Sequence, residues 1–192
     1  HDLPHRTLAL NSRLRPERID SRVHLVGGEL GELDVQLRID PQGEIKPIDG
    51  EFSLRDLDIS VARPFVPQVD RLQGQLNGAG RLSGTLQSPQ LNGDLRLSEA
   101  EISGSELPVS FERLQVDSGI EGQQLRIDGN WRSGEQGQGR LNGTLDWQQA
   151  LDLDLHLAGT RLPVVVEPYA ELEVAPDLHL VLADERLAVS GR

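Results

Sequence analysis

Cysteine and methionine are absent from the 192 residues, and aromatic side chains are scarce: two Trp, one Tyr and three Phe. Without cysteine there is neither a disulfide framework nor a thiolate metal site. Without methionine the chain lacks even an initiator residue, so it is expected to be a piece of a longer protein. Positive charge is short as well. A net charge of −12 and a pI of about 4.8 argue against nucleic acid, and against docking on an anionic membrane through a basic patch. No apolar run approaches the length of a membrane span and no signal-peptide pattern occurs, so any anchor or export signal is expected outside this stretch. An outer-membrane barrel would carry aromatic girdles, for which the few aromatics do not suffice.

What the chain does have is leucine and glycine in alternation. From Leu72 to Leu86 the even positions are Leu72, Gly74, Leu76, Gly78, Gly80, Leu82, Gly84 and Leu86, and the odd ones are almost all polar. A strand sends successive side chains to opposite faces, so this period of two predicts a half-buried strand. Ser88-Pro89 interrupts it, and Leu91, Gly93, Leu95 and Leu97 resume it with shifted parity, as a turn between two strands facing one core requires.

The same alternation runs through the rest. Leu8 and Leu10, then Val23 and Leu25, are followed by Leu33, Val35, Leu37 and Ile39, and by a turn at Asp40-Pro41-Gln42-Gly43. Residues 1–7 are expected to be frayed or extraneous. Residues 61–71 break the rule with two prolines, and read as an irregular segment covering one end of the sheet. Leu107, Val109 and Phe111, then Leu114 and Val116, read as a hairpin around Glu112-Arg113. Later come Leu125 to Trp131, Gly137 to Trp147, Leu151 to Leu157, Leu162 to Val166, and Leu178 to Val189. Gly80-Arg81-Leu82-Ser83-Gly84-Thr85-Leu86 recurs as Gly139-Arg140-Leu141-Asn142-Gly143-Thr144-Leu145, one mismatch in seven. Such repetition suggests a sheet extended by iteration. The expectation is one domain over 1–192: an antiparallel, nearly all-β chain of roughly 14 to 16 short strands.

The glycines on the inward face admit two readings. Either two walls fold over a trough that leucines line and glycines widen, or the glycines serve sheet curvature and bulges. No catalytic chemistry competes. His1, His5, His24, His156 and His179 have no metal-site spacing to Asp or Glu, and His156 and His179 fall on polar faces. Gly78 to Gly84 is one residue too long for a dinucleotide fingerprint, and no nucleophile elbow occurs. No enzyme activity and no cofactor are expected.

Leu72-Gln73-Gly74 followed by Gly80 to Leu95 resembles the recurring G-x-L-x-G-T-L-x-x-P-x-L-x-G-x-L unit of the TamB family, within the AsmA-like, bridge-like lipid transfer group. Gly137 to Trp147 and the step Val174-Ala175-Pro176-Asp177-Leu178 resemble the part of such proteins shortly before their C-terminal end, and the likeness covers most of Leu54 to Arg192. The resemblance implies an inner-membrane-anchored protein of a Gram-negative bacterium with a periplasmic β body. It implies a β-taco, an elongated antiparallel sheet folded lengthwise around an apolar concave groove. The implied partner is an Omp85-type outer-membrane barrel protein, the TamA-type subunit of the translocation and assembly module. The implied roles are phospholipid movement between membranes and assembly of outer-membrane and autotransporter proteins.

On this reading the groove is lined by Leu76, Leu82, Leu86, Leu91, Leu95, Leu97, Leu125, Ile127, Leu141, Leu145, Leu151, Leu153, Leu155, Leu157, Leu178 and Leu180, and holds phospholipid acyl chains. Seven or eight strands in each wall would make it about 35 Å long. Arg81, Arg96, Arg126 and Arg140 are candidates for a rim that meets phosphate head groups. The alternatives are a chaperone-like holder of unfolded β-strands of outer-membrane clients, by edge addition or apolar cover, and a non-conducting scaffold with a filled sandwich core.

Overall fold

The period-two alternation is expressed as strands along almost the whole chain. The computed structural model describes residues 7–15, 18–27, 30–42, 44–66, 69–104, 110–166, 170–183 and 186–191. Its strands are β1 (Thr7–Arg15), β2 (Arg18–Val26), β3 (Glu32–Ile39), β4 (Ile48–Asp58), β5 (Arg71–Gly84), β6 (Pro89–Ser103), β7 (Phe111–Gly122), β8 (Gln124–Ser133), β9 (Gly137–Asp146), β10 (Asp152–Thr160), β11 (Leu162–Val166), β12 (Ala170–Val174), β13 (Asp177–Ala183) and β14 (Arg186–Gly191). Twelve of them form one sheet in the order β1 to β10, then β13 and β14, and β11 pairs only with β12. Every ladder is antiparallel, as a chain of short connections produces. β1 and β14 each have one neighbour, so the sheet is open and not a barrel. At about 4.8 Å per strand it runs for about 53 Å, a taco-like all-β body. The expected run of seven or eight strands, about 35 Å, is corrected to twelve strands in this one sheet.

Because the order is sequential, the connections fall on two rims. One rim carries the turns 85–88, 122–124 and 147–151 with the described residues of 40–47, and the other carries 134–136 with the described residues of 59–70, 104–110 and 161–176. Turn chemistry matches the residues. The Asp40 carboxylate accepts from Gln42 N at 2.9 Å, and Ser88 N donates to Thr85 Oγ1 at 3.1 Å. Gly134 sits at φ +63°, where a side chain is disfavoured.

On the second rim, alternation gives way to bulges. The register shifts between Leu54 and Leu57, Gln73 and Gln75, Leu97 and Ala100, and Glu112 and Gln115. Asp56, Glu99 and Arg113 take φ of 47°, 50° and 48° at these shifts. One extra residue flips the parity beyond it and bends the strand. The expected hairpin at Glu112-Arg113 is therefore corrected: Phe111, Leu114 and Val116 share the single strand β7, and the break between Phe111 and Leu114 is a bulge at Arg113. Leu107 and Val109 lie outside the described residues.

The parity flips turn Ala100 and Leu114 into a core with Trp131, Leu141 and Leu162, all less than a tenth exposed. Phe111 packs on Trp131 with ring centroids 5.0 Å apart and a tilt of 58°. Leu162 comes from the β11–β12 hairpin, which folds back on this rim. Ile59 comes from the 3₁₀ helix Ile59–Phe65, whose first amides are capped by the Asp58 carboxylate accepting from Ser60 N at 2.8 Å. Trp131 Nε1 is buried there without a hydrogen-bond partner among the described residues.

Candidate functional site

The register sets the inward residues in rows that cross the sheet. One row is Leu57, Leu76, Leu97, Val116, Gly129, Leu141, Leu157 and Leu178. The next is Leu25, Leu33, Leu54, Gly78, Leu95, Ser118, Ile127, Gly143, Leu155 and Leu180. A third is Leu10, Val23, Val35, Phe52, Gly80, Gly93, Ile120, Leu125, Leu145, Leu153 and Leu182. A shorter fourth is Leu37, Gly50, Leu82 and Leu91. Period two and a two-fold ladder are sufficient to cause this, since residues directly opposite one another share a face.

All the expected lining residues except Leu86 and Leu151 stand on these rows. Leu86 lies in the 85–88 turn and Leu151 precedes β10, and they are 47% and 53% exposed. The rows also contain apolar residues the expected set left out: Leu10, Val23, Leu25, Leu33, Val35, Leu37, Phe52, Leu54, Leu57, Val116, Ile120 and Leu182. The alternation at Leu33 to Ile39 signals Leu33, Val35 and Leu37, and the alternations at Val23 and Leu25 and at Phe52 and Leu54 signal four more. Leu141 differs from its companions. It belongs to the buried core at the second rim, whereas Leu82, Leu91, Leu95, Leu125, Leu145, Leu153 and Leu155 are only half-buried.

The inward glycines divide by what a Cβ would meet. At Gly80 it would fall under 3.0 Å from the Phe52 ring, and at Gly139 from the Trp131 ring. At Gly50, Gly93 and Gly143 it would strike the carbonyl oxygen of the neighbouring strand. Of the two readings open from sequence, the geometry favours curvature over a widened trough: large cross-strand side chains fill the space over Gly80 and Gly139, and the neighbouring backbone closes on Gly50, Gly93 and Gly143.

Polar residues occupy the opposite face and pair across strands. Arg22 donates to Asp34 at 2.8 Å, Arg38 to Asp49 at 2.5 Å, and Arg96 to Asp117 at 2.6 Å. The Arg22 hydrogen bond holds the Asp34 carboxyl below its ordinary range against the opposing cost of burial, with Gln36 and His24 adding to the effect. Arg96 is pushed up by its hydrogen bond to Asp117. His156 and His179 stand directly opposite each other, and reach diagonally to Asp177 at 2.5 Å and Asp154 at 2.9 Å. Among the described residues no cluster of three His, Asp or Glu side chains is arranged to hold a metal, and no helix is long and apolar enough to cross a membrane. The rim assignment of Arg81, Arg96, Arg126 and Arg140 is corrected. Each lies within a strand on the polar face, because its chain neighbours point inward.

Residues 1–97 match the family model described as TamB, N-terminal domain. That is just over half of the 192 residues, and the chain belongs to the TamB family. The family is transport-related and non-enzymatic, tied to the translocation and assembly module of bacterial membranes. The expected position near the C-terminal end of such proteins is corrected, since the matching model is that of the N-terminal domain and covers the first half of the chain. No solved structure matches the chain.

Proposed function

We propose that this chain is a periplasmic part of a TamB-family protein whose apolar sheet face shields phospholipid acyl chains between the inner and outer membranes. The observation that carries this reading is the set of cross-strand apolar rows on one face of an unbroken twelve-stranded sheet. A 16-carbon chain left in water costs roughly 13 kcal/mol at about 0.8 kcal/mol per CH₂. Half-buried leucines repeated from strand to strand remove much of that cost at every position, so hydrocarbon can slide without meeting a deep trap. In this reading the chain acts with an Omp85-type barrel protein, and lipid supply supports assembly of outer-membrane and autotransporter proteins.

A client polypeptide fits the face less well. From β2 to β10 each strand is paired on both sides, so a peptide laid across it finds no backbone partner and leaves its own amides unsatisfied. Among the described residues the open edges are β1 and β14 of the large sheet, with Leu10 and Val189 exposed, and the outer edges of the β11–β12 hairpin, and strand addition is confined to these. The test is a photoreactive residue placed at inward Leu125 or at outward Arg126 in the intact protein. Phospholipid labelling is expected at Leu125 and not at Arg126, and equal labelling at both positions would refute the reading.

A further inference from the structure

The two rims of the sheet are built differently. Across β6 to β9 the second rim is shut: Ala100 and Leu162 have no exposed surface, and Trp131 and Leu114 keep 3% and 5%. The β11–β12 hairpin and the 3₁₀ helix supply the covering residues Leu162 and Ile59. The first rim carries no helix or hairpin folded over it among the described residues, and its one large apolar side chain less than a tenth exposed there is Ile48, at the start of β4. Its turns expose Ile45 (69%), Leu86 (47%) and Leu151 (53%), three of the six most exposed large apolar side chains among the described residues. Of the others, Leu10 and Val189 lie on the edge strands, and Val61 stands on the 3₁₀ helix of the shut rim.

Turns ordinarily present polar residues, and exposed apolar side chains grouped along one rim, as distinct from singly scattered ones, mark a surface that meets something apolar. Ile45 and Leu86 are neighbours, since Leu86 N donates to Lys46 O at 3.0 Å and Pro47 bridges Thr85. Behind the lip they form lie Leu82 and Leu91, and behind Leu151 lie the rows through Ile120, Leu125, Leu145 and Leu153 and through Leu95, Ile127 and Leu155. From β6 to β10 the only polar side chain on those rows is Ser118. A guest there is offered carbon and almost nothing else, which suits hydrocarbon and penalises any group that needs a hydrogen bond.

We infer that acyl chains enter and leave the apolar face across the rim carrying Ile45, Leu86 and Leu151, while the Trp131–Leu162 core shuts the opposite rim. This rests on the acyl-chain reading above and adds a route to it. Lipid then lies on the half-buried rows, off-centre toward the first rim, and Leu141 is part of the plug and not of the path.

The experiment places a photoreactive residue at Leu86, Leu151, Leu125 or Val61 of the intact protein, exposed to vesicles of phosphatidylethanolamine and phosphatidylglycerol. Labelling is expected at Leu86, Leu151 and Leu125 and several-fold less at Val61, although Val61 is exposed and apolar. The double variant Leu86→Glu and Leu151→Glu, both on exposed turns, should lower labelling at Leu125 several-fold, and Val61→Glu should not. Native tryptophans give a second readout. Brominated acyl chains should quench Trp147, which adjoins the 147–151 turn, and Trp147→Phe should abolish the quenching because Trp131 sits inside the plug. Equal labelling at Val61 and Leu86 with Leu125 still labelled, or strong quenching of Trp131, would overturn the one-rim route and leave the acyl-chain reading standing. No labelling at Leu125 in the unaltered lip would bring down both.

Discussion

The two rims use the same kinds of residue to opposite ends. On the shut rim, bulges at Asp56, Glu99 and Arg113 bend neighbouring strands and turn Ala100 and Leu114 under Trp131 and Leu162. On the open rim, regular alternation continues to the turns, and leucines such as Leu82 and Leu91 stay half-buried. A short stretch of irregular backbone thus converts a lining into a core. The difference teaches that apolarity alone does not define a binding face, because Leu141 and Leu145 are both inward leucines of β9, yet Leu141 is buried in the core and Leu145 is only half-buried.

The comparison breaks most directly by truncation. Trp131→Ala should destabilise the chain by about 4 kcal/mol, and Leu162→Ala by about 3 kcal/mol, as buried large-to-small changes do. Leu125→Ala, on the half-buried rows, should cost only about 1–2 kcal/mol. Guanidinium unfolding of the three variants measures this, and equal losses would mean that the open half is as well packed as the shut one. Next in size is Gly139→Ala. The new Cβ meets the Trp131 ring and the ring is held by Phe111, so a loss of about 2 kcal/mol is expected, read from the same curves.

Much of this architecture was legible in the residues. Period two set the strands, their inward faces and most of the turns, because side-chain direction in a strand has no freedom beyond alternation. The bulges were not legible. Glu99 and Arg113 adopt left-handed backbone without the glycine that usually announces it, so Phe111 to Leu114 looked like a turn. Nor could alternation tell a lining leucine from a core leucine. Leu141 and Leu153 both alternate with polar neighbours, and only the docking of Leu162, far along the chain, separates them. The rim arginines were misplaced for a simpler reason: a rim is a property of strand ends, and Arg81, Arg96, Arg126 and Arg140 stand inside strands.

Smaller effects belong to the polar face. Asp34 has a lowered folded value, so its contribution to stability is fully present above about pH 5, past the unfolded value near 3.9, and is lost as pH falls through the folded value. The side chain is about a fifth exposed, so the contribution is at most about 1 kcal/mol. Asp34→Asn should flatten the fall in thermal midpoint between about pH 5 and pH 3, and an unchanged slope would show that the Arg22 bond is not felt in solution.

The smallest effect has the opposite sign and sharpens the contrast most. Gly119 lies on β7 among outward residues, opposite Asp94 and Arg126, with nothing within 4 Å of where a methyl would stand and no left-handed backbone. Glycine there constrains the folded chain in no way that alanine would not, while it widens the unfolded ensemble. Gly119→Ala should therefore stabilise the chain by about 0.5 kcal/mol. Gly139 and Gly119 are thus expected to respond with opposite signs to the same substitution, one pressed against an aromatic ring on the inward face and one open to water on the other. Two losses of similar size would mean that the outer face is also covered, and that the sheet presents two packed surfaces where one is expected.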